Sequence, residues 1–342
     1  MPQQGGRPPG RGARRAPDVG GADENRRVSL QSSDLERDYR ALRDRLGAVW
    51  VPRDFVRVSG PDALSFLQGQ LSQDVDALGV GASALSLILQ PQGKVDALVR
   101  VTRTGGDEVV LDVQGGWGEA VTTRLQRFKL RVKASLEPLA WRCLSLRGPA
   151  VTDLGPEPAG GAVLAIPADW PGLPGVDLIG ADVKPPDGVP LCGPEALEAV
   201  RVEAGVPAMG SELDERTIPA EAGILDETVS FTKGCYTGQE LVARIDSRGG
   251  NVARRLRGVV IGDEALPAPG AVLSSQDKEV GRLTSVAWSP ARQAPVALAY
   301  VRRDVVPPAD VTVSGPNGEV PARVEELPLV GGPEPAPGGG QA

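Results

Sequence analysis

The hydrophobic positions of the chain change period several times, which predicts helices and strands in alternation. After a Gly60-Pro61-Asp62 turn, the leucines at positions 64, 67 and 71 share one helical face and predict a helix. Two further helices are predicted at about 117–128 and 194–204, the second ending at Gly205. Apolar runs predict strands at 49–58 (with a turn at Pro52), 84–89, 95–102, 108–113, 130–136 and 141–146.

The hydrophobic pattern changes after Gly249-Gly250. Short β-rich segments at 256–261, 280–286 and 296–301 follow, and they predict a small barrel. We therefore expect an α+β region over 46–250 with two subdomains, and a C-terminal β-barrel over 251–327. The Gly- and Pro-rich stretch 148–194 is expected to form loops. Residues 1–45 are expected to form a disordered tail and lead-in, and 328–342 a second disordered tail. The alternative for the arginine-rich start, a transit peptide, is opposed by its acids, glycines and prolines.

Composition excludes several classes of function. The formal net charge is −7, which argues against direct nucleic-acid binding because phosphate contacts need a basic face. Three scattered cysteines and no histidine cannot supply four ligands to a structural zinc ion or an iron–sulfur cluster, so no metal site is predicted. An odd number of cysteines favours a reducing cytoplasm. No apolar run is long enough to span a membrane.

The run Lys233-Gly234-Cys235-Tyr236-Thr237-Gly238-Gln239-Glu240 is the most informative motif of the chain. The spacing of Thr237 and Glu240 is typical of a capping box, and a helical pattern follows. Cys235 is therefore predicted to lie in a tight turn before a helix, where the helix dipole and Lys233 favour a thiolate. The alternative is a small apolar residue buried in a crowded turn.

Several segments together resemble the YgfZ family of folate-binding proteins, which are relatives of the glycine-cleavage aminomethyltransferase, or T-protein. Beside the 233–240 motif, they are Gly60–Ala63, Phe66–Val75, Pro91–Val95, Phe128–Arg131 and the stretch Arg201–Gly250. The resemblance covers roughly 46–327. It implies a ring of two mixed α+β units and a C-terminal β-barrel around a central folate channel. It also implies a role in assembling or repairing iron–sulfur clusters of client enzymes.

The resemblance assigns roles to individual residues. Glu203 would hold the pterin of tetrahydrofolate, because one carboxylate accepts both the ring N–H and the exocyclic amine. Lys233, Tyr236 and Arg244 would complete the folate site, and Cys235 and Lys233 would carry the chemistry. Three of these residues have a simpler interpretation. Glu203 could be a solvated glutamate in the last turn of its helix, and Lys233 and Arg244 could be solvated cations.

One departure from the T-protein pattern bears on the activity. That enzyme uses an aspartate in the strand after its first hairpin, and Leu98 stands at this position here. Asp96 faces the same side of the strand, but about 6–7 Å away. We therefore expect a folate-binding protein that supports iron–sulfur cluster assembly or repair. The alternatives are a folate-dependent aminomethyltransferase with a lipoylated partner and a tRNA-modification factor.

Overall fold

The computed structural model describes residues 33–154, 160–315 and 318–331. Seven α-helices lie in these ranges: α1 (Ser33–Asp44), α2 (Ala63–Gln70), α3 (Gly118–Phe128), α4 (Pro194–Ala204), α5 (Pro219–Ala222), α6 (Leu225–Thr228) and α7 (Gln239–Asp246). A 3-10 helix covers Pro149–Asp153. Fifteen strands accompany them in the same ranges: β1 (Gly47–Val51), β2 (Arg53–Ser59), β3 (Ser83–Leu89), β4 (Val95–Arg103), β5 (Glu108–Gln114), β6 (Ser135–Leu139), β7 (Arg142–Arg147), β8 (Leu164–Pro167), β9 (Gly175–Gly180), β10 (Arg254–Ile261), β11 (Val272–Ser275), β12 (Lys278–Ser289), β13 (Ala294–Arg302), β14 (Ala309–Gly315) and β15 (Gly318–Glu325).

The first part of the chain builds two antiparallel sheets. One has five strands in the order β3-β4-β5-β2-β6, and the other has four in the order β1-β7-β9-β8. The hairpin between β3 and β4 has a tight tip, where Gly93 adopts a φ of +78°. A side chain at Gly93 would lie 2.5 Å from Cβ of Leu241, so the hairpin tip packs directly against α7.

The last part of the chain closes into a six-stranded barrel in the order β10-β13-β12-β11-β14-β15. Closure pairs every strand on both sides and leaves no open sheet edge. Helix α4 packs against β12 of the barrel on one side and against α1 on the other, and the side chains of Val200 and Val202 are fully buried there. The predicted α+β fold that ends in a small barrel is confirmed.

Two sequence-based expectations for the first sheets are wrong. Residues 148–194 were expected to be loops, yet they contain β8 and β9, of four and six residues. These strands are short, and the glycines and prolines around them hide their apolar alternation. The strand expected at 130–136 begins later, at Ser135. The other predicted strands and the three predicted helices are present with small shifts of their ends.

The lead-in before residue 45 contains helix α1, which corrects the expectation of disorder for this part. Tyr39 and Leu42 are buried against the main core, so α1 belongs to the fold. Their spacing with Leu35 is helical, but the surrounding charges concealed it. At the other end, Leu329 is also buried, so the fold extends past residue 327. The rest of both predicted tails, 1–32 and 332–342, lies outside the described residues.

The helices in the described part of the chain are short. None of them is long and apolar enough to cross a bilayer.

Candidate functional site

Lys233 is held by three backbone carbonyls at the end of α2. Its ammonium group donates to the carbonyl oxygens of Gln68, Leu71 and Gln73, each at 2.8 Å. A lysine ammonium has three N–H donors, so all of them are used. Burial lowers the pKa of Lys233 to about 8, whereas Asp74 and Asp76 act in the opposite direction. The geometry makes Lys233 a clamp between two segments of this chain.

The segment around Lys233, residues 228–238, is called the strap below. Its backbone is hydrogen-bonded near both ends to the last turn of α2 and the residues that follow it: Ser230 N donates to Ser72 O at 3.0 Å, and Thr237 N donates to Gly69 O at 3.2 Å. The Ser72 hydroxyl adds a 2.6 Å bond to the carbonyl of Thr228. The strap is therefore fixed along its length against residues 68–73.

Cys235 lies in the middle of the strap and is an exposed, free thiol. The prediction that Cys235 lies shortly before a helix is confirmed, since α7 begins at Gln239, but the turn itself is formed by Thr237 and Gly238, after the cysteine. The predicted capping box is wrong: Gly238 occupies the N-cap with a φ of +84°, and no side chain caps the helix. A Cβ on Gly238 would come within 2.5 Å of the carbonyl of Gln90, so close packing on the β3–β4 hairpin selects glycine at this position.

The other two cysteines are buried. Cys143 is 1% exposed on β7, and burial raises the pKa of its thiol well above the usual value. Cys192 is 6% exposed, and burial raises the pKa of its thiol to about 11. Both are expected to be inert at neutral pH. In the described ranges, no three His, Cys, Asp or Glu side chains come together as a metal site.

Tyr236 and Arg244 lie near the strap. The ring of Tyr236 is half-buried and its centroid is 5.3 Å from the Lys233 ammonium. Burial raises the pKa of the Tyr236 hydroxyl to about 12. Arg244 is exposed in the last turn of α7. Lys233, Cys235 and Tyr236 thus lie on the strap, and Arg244 lies on the helix that follows it.

Glu203 is elsewhere, in the last turn of α4, and is fully buried. The hydroxyl of Tyr39 donates to its carboxylate at 2.8 Å, and the hydroxyl of Ser289 donates at 2.5 Å. Burial raises the pKa of Glu203, and these two hydrogen bonds act in the opposite direction. The carboxylate therefore joins α1, α4 and the barrel, and a pterin would reach it only by replacing these two hydroxyls.

Asp96 and Leu98, on the strand after the first hairpin, both have partners within the protein. Leu98 packs against the main core, and its backbone N–H points at the sulfur of Met209, 3.3 Å away. Asp96 is bound to Arg124, whose Nε lies 3.0 Å from the carboxylate. The same guanidinium also donates to Leu89 O, so Asp96 is held next to the tip of the hairpin.

A buried ionic network between the two sheets was not predicted from sequence. Arg100 is 6% exposed and binds Asp112 at 2.9 Å and Asp177 at 2.8 Å. Burial acts to raise the pKa of Asp177, but Arg100 and Arg147 outweigh it and hold that pKa below its usual value. One terminal nitrogen of Arg100 is buried without a partner in the described residues. The sequence indicated this network only through charged residues that alternate with apolar ones in β4 and β9.

A cleft of about 620 Å³ lies between segment 211–217 and barrel strands β12 and β13. None of the predicted site residues lines it. Its boundary includes Arg254, whose Nε donates to the buried carboxylate of Glu221 at 3.0 Å. Helices α5 and α7 pack together through Ala220 and Ile245.

Comparison with known proteins identifies the type of fold. Residues 254–330 match the sequence family described as the glycine cleavage T-protein C-terminal barrel domain. The structure is similar to that of the glycine cleavage system aminomethyltransferase T from Bartonella henselae. The TM-score is 0.75 at 19% identity, over 87% of this chain and 90% of that protein. The whole described architecture is therefore a T-protein fold, barrel included.

Relatives found by sequence include proteins named aminomethyltransferase. The chain is 27% identical over 330 residues to an aminomethyltransferase of Rubrobacter xylanophilus, covering 88% of each protein. It is 28% identical over 336 residues to an aminomethyltransferase of Thermus thermophilus, covering 89% of this chain and 92% of that one. An uncharacterised protein of Haemophilus influenzae is 28% identical over 199 residues, 57% of this chain and 67% of that protein.

Proposed function

We propose that this protein binds a reduced folate such as tetrahydrofolate and supports the assembly or repair of iron–sulfur clusters in client enzymes of the cytoplasm. The observation that carries the proposal is the exposed thiol of Cys235 on a strap that is fixed to the rest of the fold. A thiol presented in this way is accessible to a partner protein while its backbone stays in place. The likeness of the 233–240 motif to the YgfZ family supports the same function.

The folate part of the proposal is supported by the T-protein fold. Glu203 remains the proposed pterin anchor, with the condition that Tyr39 and Ser289 release its carboxylate on binding. Tyr39 belongs to α1, so this mode of binding requires α1 to shift. The Glu203→Gln variant tests it: the amide still accepts from Tyr39, but can no longer accept two hydrogen bonds from a pterin with both oxygens.

Calorimetric titration of tetrahydrofolate and 5-formyltetrahydrofolate into the purified protein tests folate binding. Saturable binding to wild type, together with an affinity at least tenfold weaker for Glu203→Gln, supports Glu203 as the pterin anchor. Equal binding to wild type and Glu203→Gln would place the pterin elsewhere while keeping the function. A folded protein that binds neither folate would refute the folate part.

The thiol part is tested in cells that lack the protein, by measuring the activities of iron–sulfur enzymes. Cys235→Ala should fold normally, because the side chain is exposed, and should fail to restore these activities. Thr232→Ala, at another exposed position of the strap, is the matched control and should restore them. Full restoration by Cys235→Ala would show that the thiol is dispensable.

A second candidate is an aminomethyltransferase, which the names of the relatives favour. The neutral Leu98 and the Arg124-bound Asp96 oppose it, because a displacement of several ångströms is outside the tolerance of a positioned catalytic group. A glycine-cleavage assay with a lipoylated carrier protein separates the two candidates. Turnover comparable to a T-protein would establish the transferase, whereas its absence from a folate-binding protein would favour the role in iron–sulfur clusters.

A further inference from the structure

A basic segment of the chain lies beside the strap. Residues 121–136 carry five cations and no acid, although the chain as a whole has a net charge of −7. The five cations are Arg124, Arg127, Lys129, Arg131 and Lys133. The part from the last turn of α3 to the residues before β6, 127–133, is called the basic loop below. Such a concentration of one sign of charge on an acidic protein attracts anions locally.

The basic loop is fixed by hydrogen bonds to its own chain. The ammonium group of Lys129 donates to the carbonyl of Ala134 at 2.6 Å. The carboxylate of Asp62 accepts from the backbone N–H of Lys133 at 2.7 Å, which also places a negative charge near this lysine. Arg131 adopts a φ of +59°, a conformation that few residues other than glycine adopt. A loop that is ordered before binding loses little conformational entropy when a partner binds.

The side chains that the basic loop presents to solvent are cationic and apolar. Leu130 is 83% exposed and Phe128 is 38% exposed. The guanidinium group of Arg124 lies 3.9 Å from the centroid of the Phe128 ring, so it covers one face of that ring. Arg127 and Arg131 are exposed, and neither forms an ion pair with a described residue. Two unpaired guanidinium groups therefore flank an apolar surface that nothing in the described part of the chain covers.

Contacts through α2 connect the basic loop to the strap. Arg124, which stacks on Phe128, also donates to the side-chain oxygen of Gln70 at 3.3 Å. The residue before Gln70, Gly69, accepts from the backbone N–H of Thr237, two residues after the exposed thiol. The basic loop and the thiol are thus close enough in the fold to meet one partner.

We propose that the basic loop binds an acidic and apolar segment of a partner protein and thereby brings that protein to the thiol of Cys235. The inference rests on the proposed function and adds the chemistry of the partner's surface to it. Carboxylates of the partner pair with Arg127 and Arg131, and an apolar side chain of the partner covers Leu130. A nucleic acid fits this surface less well, because leucine has no aromatic face on which a base can stack and few cations are free for phosphates.

The test uses a short peptide of glutamates and leucines with one cysteine, activated as a pyridyl disulfide. The Cys235 thiolate attacks the cysteine sulfur of the peptide, a mixed disulfide forms, and pyridinethione leaves with the electron pair of the broken S–S bond. Absorbance of the released thione measures the rate, and Cys235→Ala gives the background. A peptide with glutamine in place of every glutamate is the reference. We expect the acidic peptide to react about tenfold faster than the reference at low salt. Raising the ionic strength should reduce this ratio.

Three variants assign the effect to the basic loop. Arg127→Gln combined with Arg131→Gln should bring the ratio close to one and leave the rate of the glutamine peptide unchanged. Arg282→Gln combined with Arg323→Gln removes the same charge from exposed positions of the barrel and should keep the ratio. Leu130→Ser should slow both peptides even at high salt, because burial of apolar surface is not screened. All five side chains are exposed, so these variants should fold.

Each outcome has a distinct meaning. Equal rates for the two peptides refute the docking proposal, whereas the reaction of Cys235 with both keeps the proposed function. A tenfold ratio that survives Arg127→Gln with Arg131→Gln also refutes docking at the basic loop, as does an equal loss of the ratio in the barrel variant. Failure of Cys235 to react with either peptide refutes the thiol part of the proposed function and the docking proposal with it.

A labelled single-stranded RNA, followed by fluorescence anisotropy, tests the other polyanion. We expect it to bind more weakly than the acidic peptide, labelled in the same way. Tighter binding of the RNA that Arg127→Gln with Arg131→Gln abolishes would make the basic loop a nucleic-acid site and overturn the proposal.

Discussion

Replacing Lys233 by methionine tests whether this lysine clamps the strap. Methionine keeps an unbranched apolar stem, so packing beside Tyr236 is largely retained and the loss is confined to the ammonium group. Three backbone carbonyls at 2.8 Å then lose their donor. Each hydrogen bond contributes about 1 kcal/mol net, and the contribution is smaller here because the site is half-exposed to water. The variant should therefore lose about 2 kcal/mol of unfolding free energy.

Thermal and urea unfolding measure this loss. For a chain of this size, about 2 kcal/mol corresponds to a decrease of about 5 °C in Tm. Lys133→Met, at an exposed lysine before β6, is the control and should stay within about 0.5 kcal/mol of wild type. Hydrogen exchange should increase in the strap and in residues 68–73 of Lys233→Met, and only there. An unchanged Tm would refute the clamp and leave the ammonium group free for a ligand.

The same variant gives a pH dependence with a defined sign. Burial lowers the pKa of Lys233 to about 8, below the value of about 10.4 for an unfolded lysine. Between these values the unfolded chain binds more protons than the folded one, so folding becomes more favourable as pH rises. The stability of wild type relative to Lys233→Met should therefore increase from pH 8 to 10. A decrease would mean that the three carbonyls outweigh burial and hold the lysine charged.

Three further predictions concern other parts of the site. Native protein should react with iodoacetamide at Cys235 alone, and at all three cysteines after unfolding; mass spectrometry counts the adducts. Gly238→Ala should lower the free energy of unfolding by about 3 kcal/mol, because alanine is strained in the left-handed conformation and its Cβ would collide with Gln90. Gly249→Ala has open space around it and should lower the same free energy by only about 1 kcal/mol; urea unfolding measures both. Because burial raises the pKa of Glu203, wild type should lose stability relative to Glu203→Gln as pH rises from about 4 to 7; a pH-independent difference would contradict this.

Regular elements with a local signal were predictable from sequence. The helix at 194–204 has a clear apolar face and a glycine that adopts the left-handed conformation at its end, φ +78° at Gly205. The barrel strands alternate over short spans between turns. Helix α1 and strands β8 and β9 were missed because their signals are weak locally. Burial against distant elements stabilises them, and that burial is invisible in a window of ten residues.

The functional groups were identified by type, but their partners could not be predicted. The three acceptors of Lys233 lie 160 to 165 positions earlier in the chain. Glu203 meets Tyr39 from 164 positions away and Ser289 from 86 positions away. A motif shows which residue types occur together, and only the tertiary fold decides whether a charged group faces a ligand or its own backbone. For Lys233, all three donors are used internally.

A T-protein fold does not by itself establish a transferase, because an activity depends on the groups placed on the fold. Here the fold is similar to that of an aminomethyltransferase over 87% of the chain. The resemblance of the first hairpin places Leu98 where the transferase would have its aspartate, and Arg124 holds Asp96, two residues earlier in β4, in an ion pair. The exposed Cys235 lies on a strap that is hydrogen-bonded to residues 68–73 and packed against the first hairpin at Gly238. The proposed role on a partner protein therefore depends on the exposed, fixed thiol, and aminomethyl transfer is opposed by the ion pair that holds Asp96.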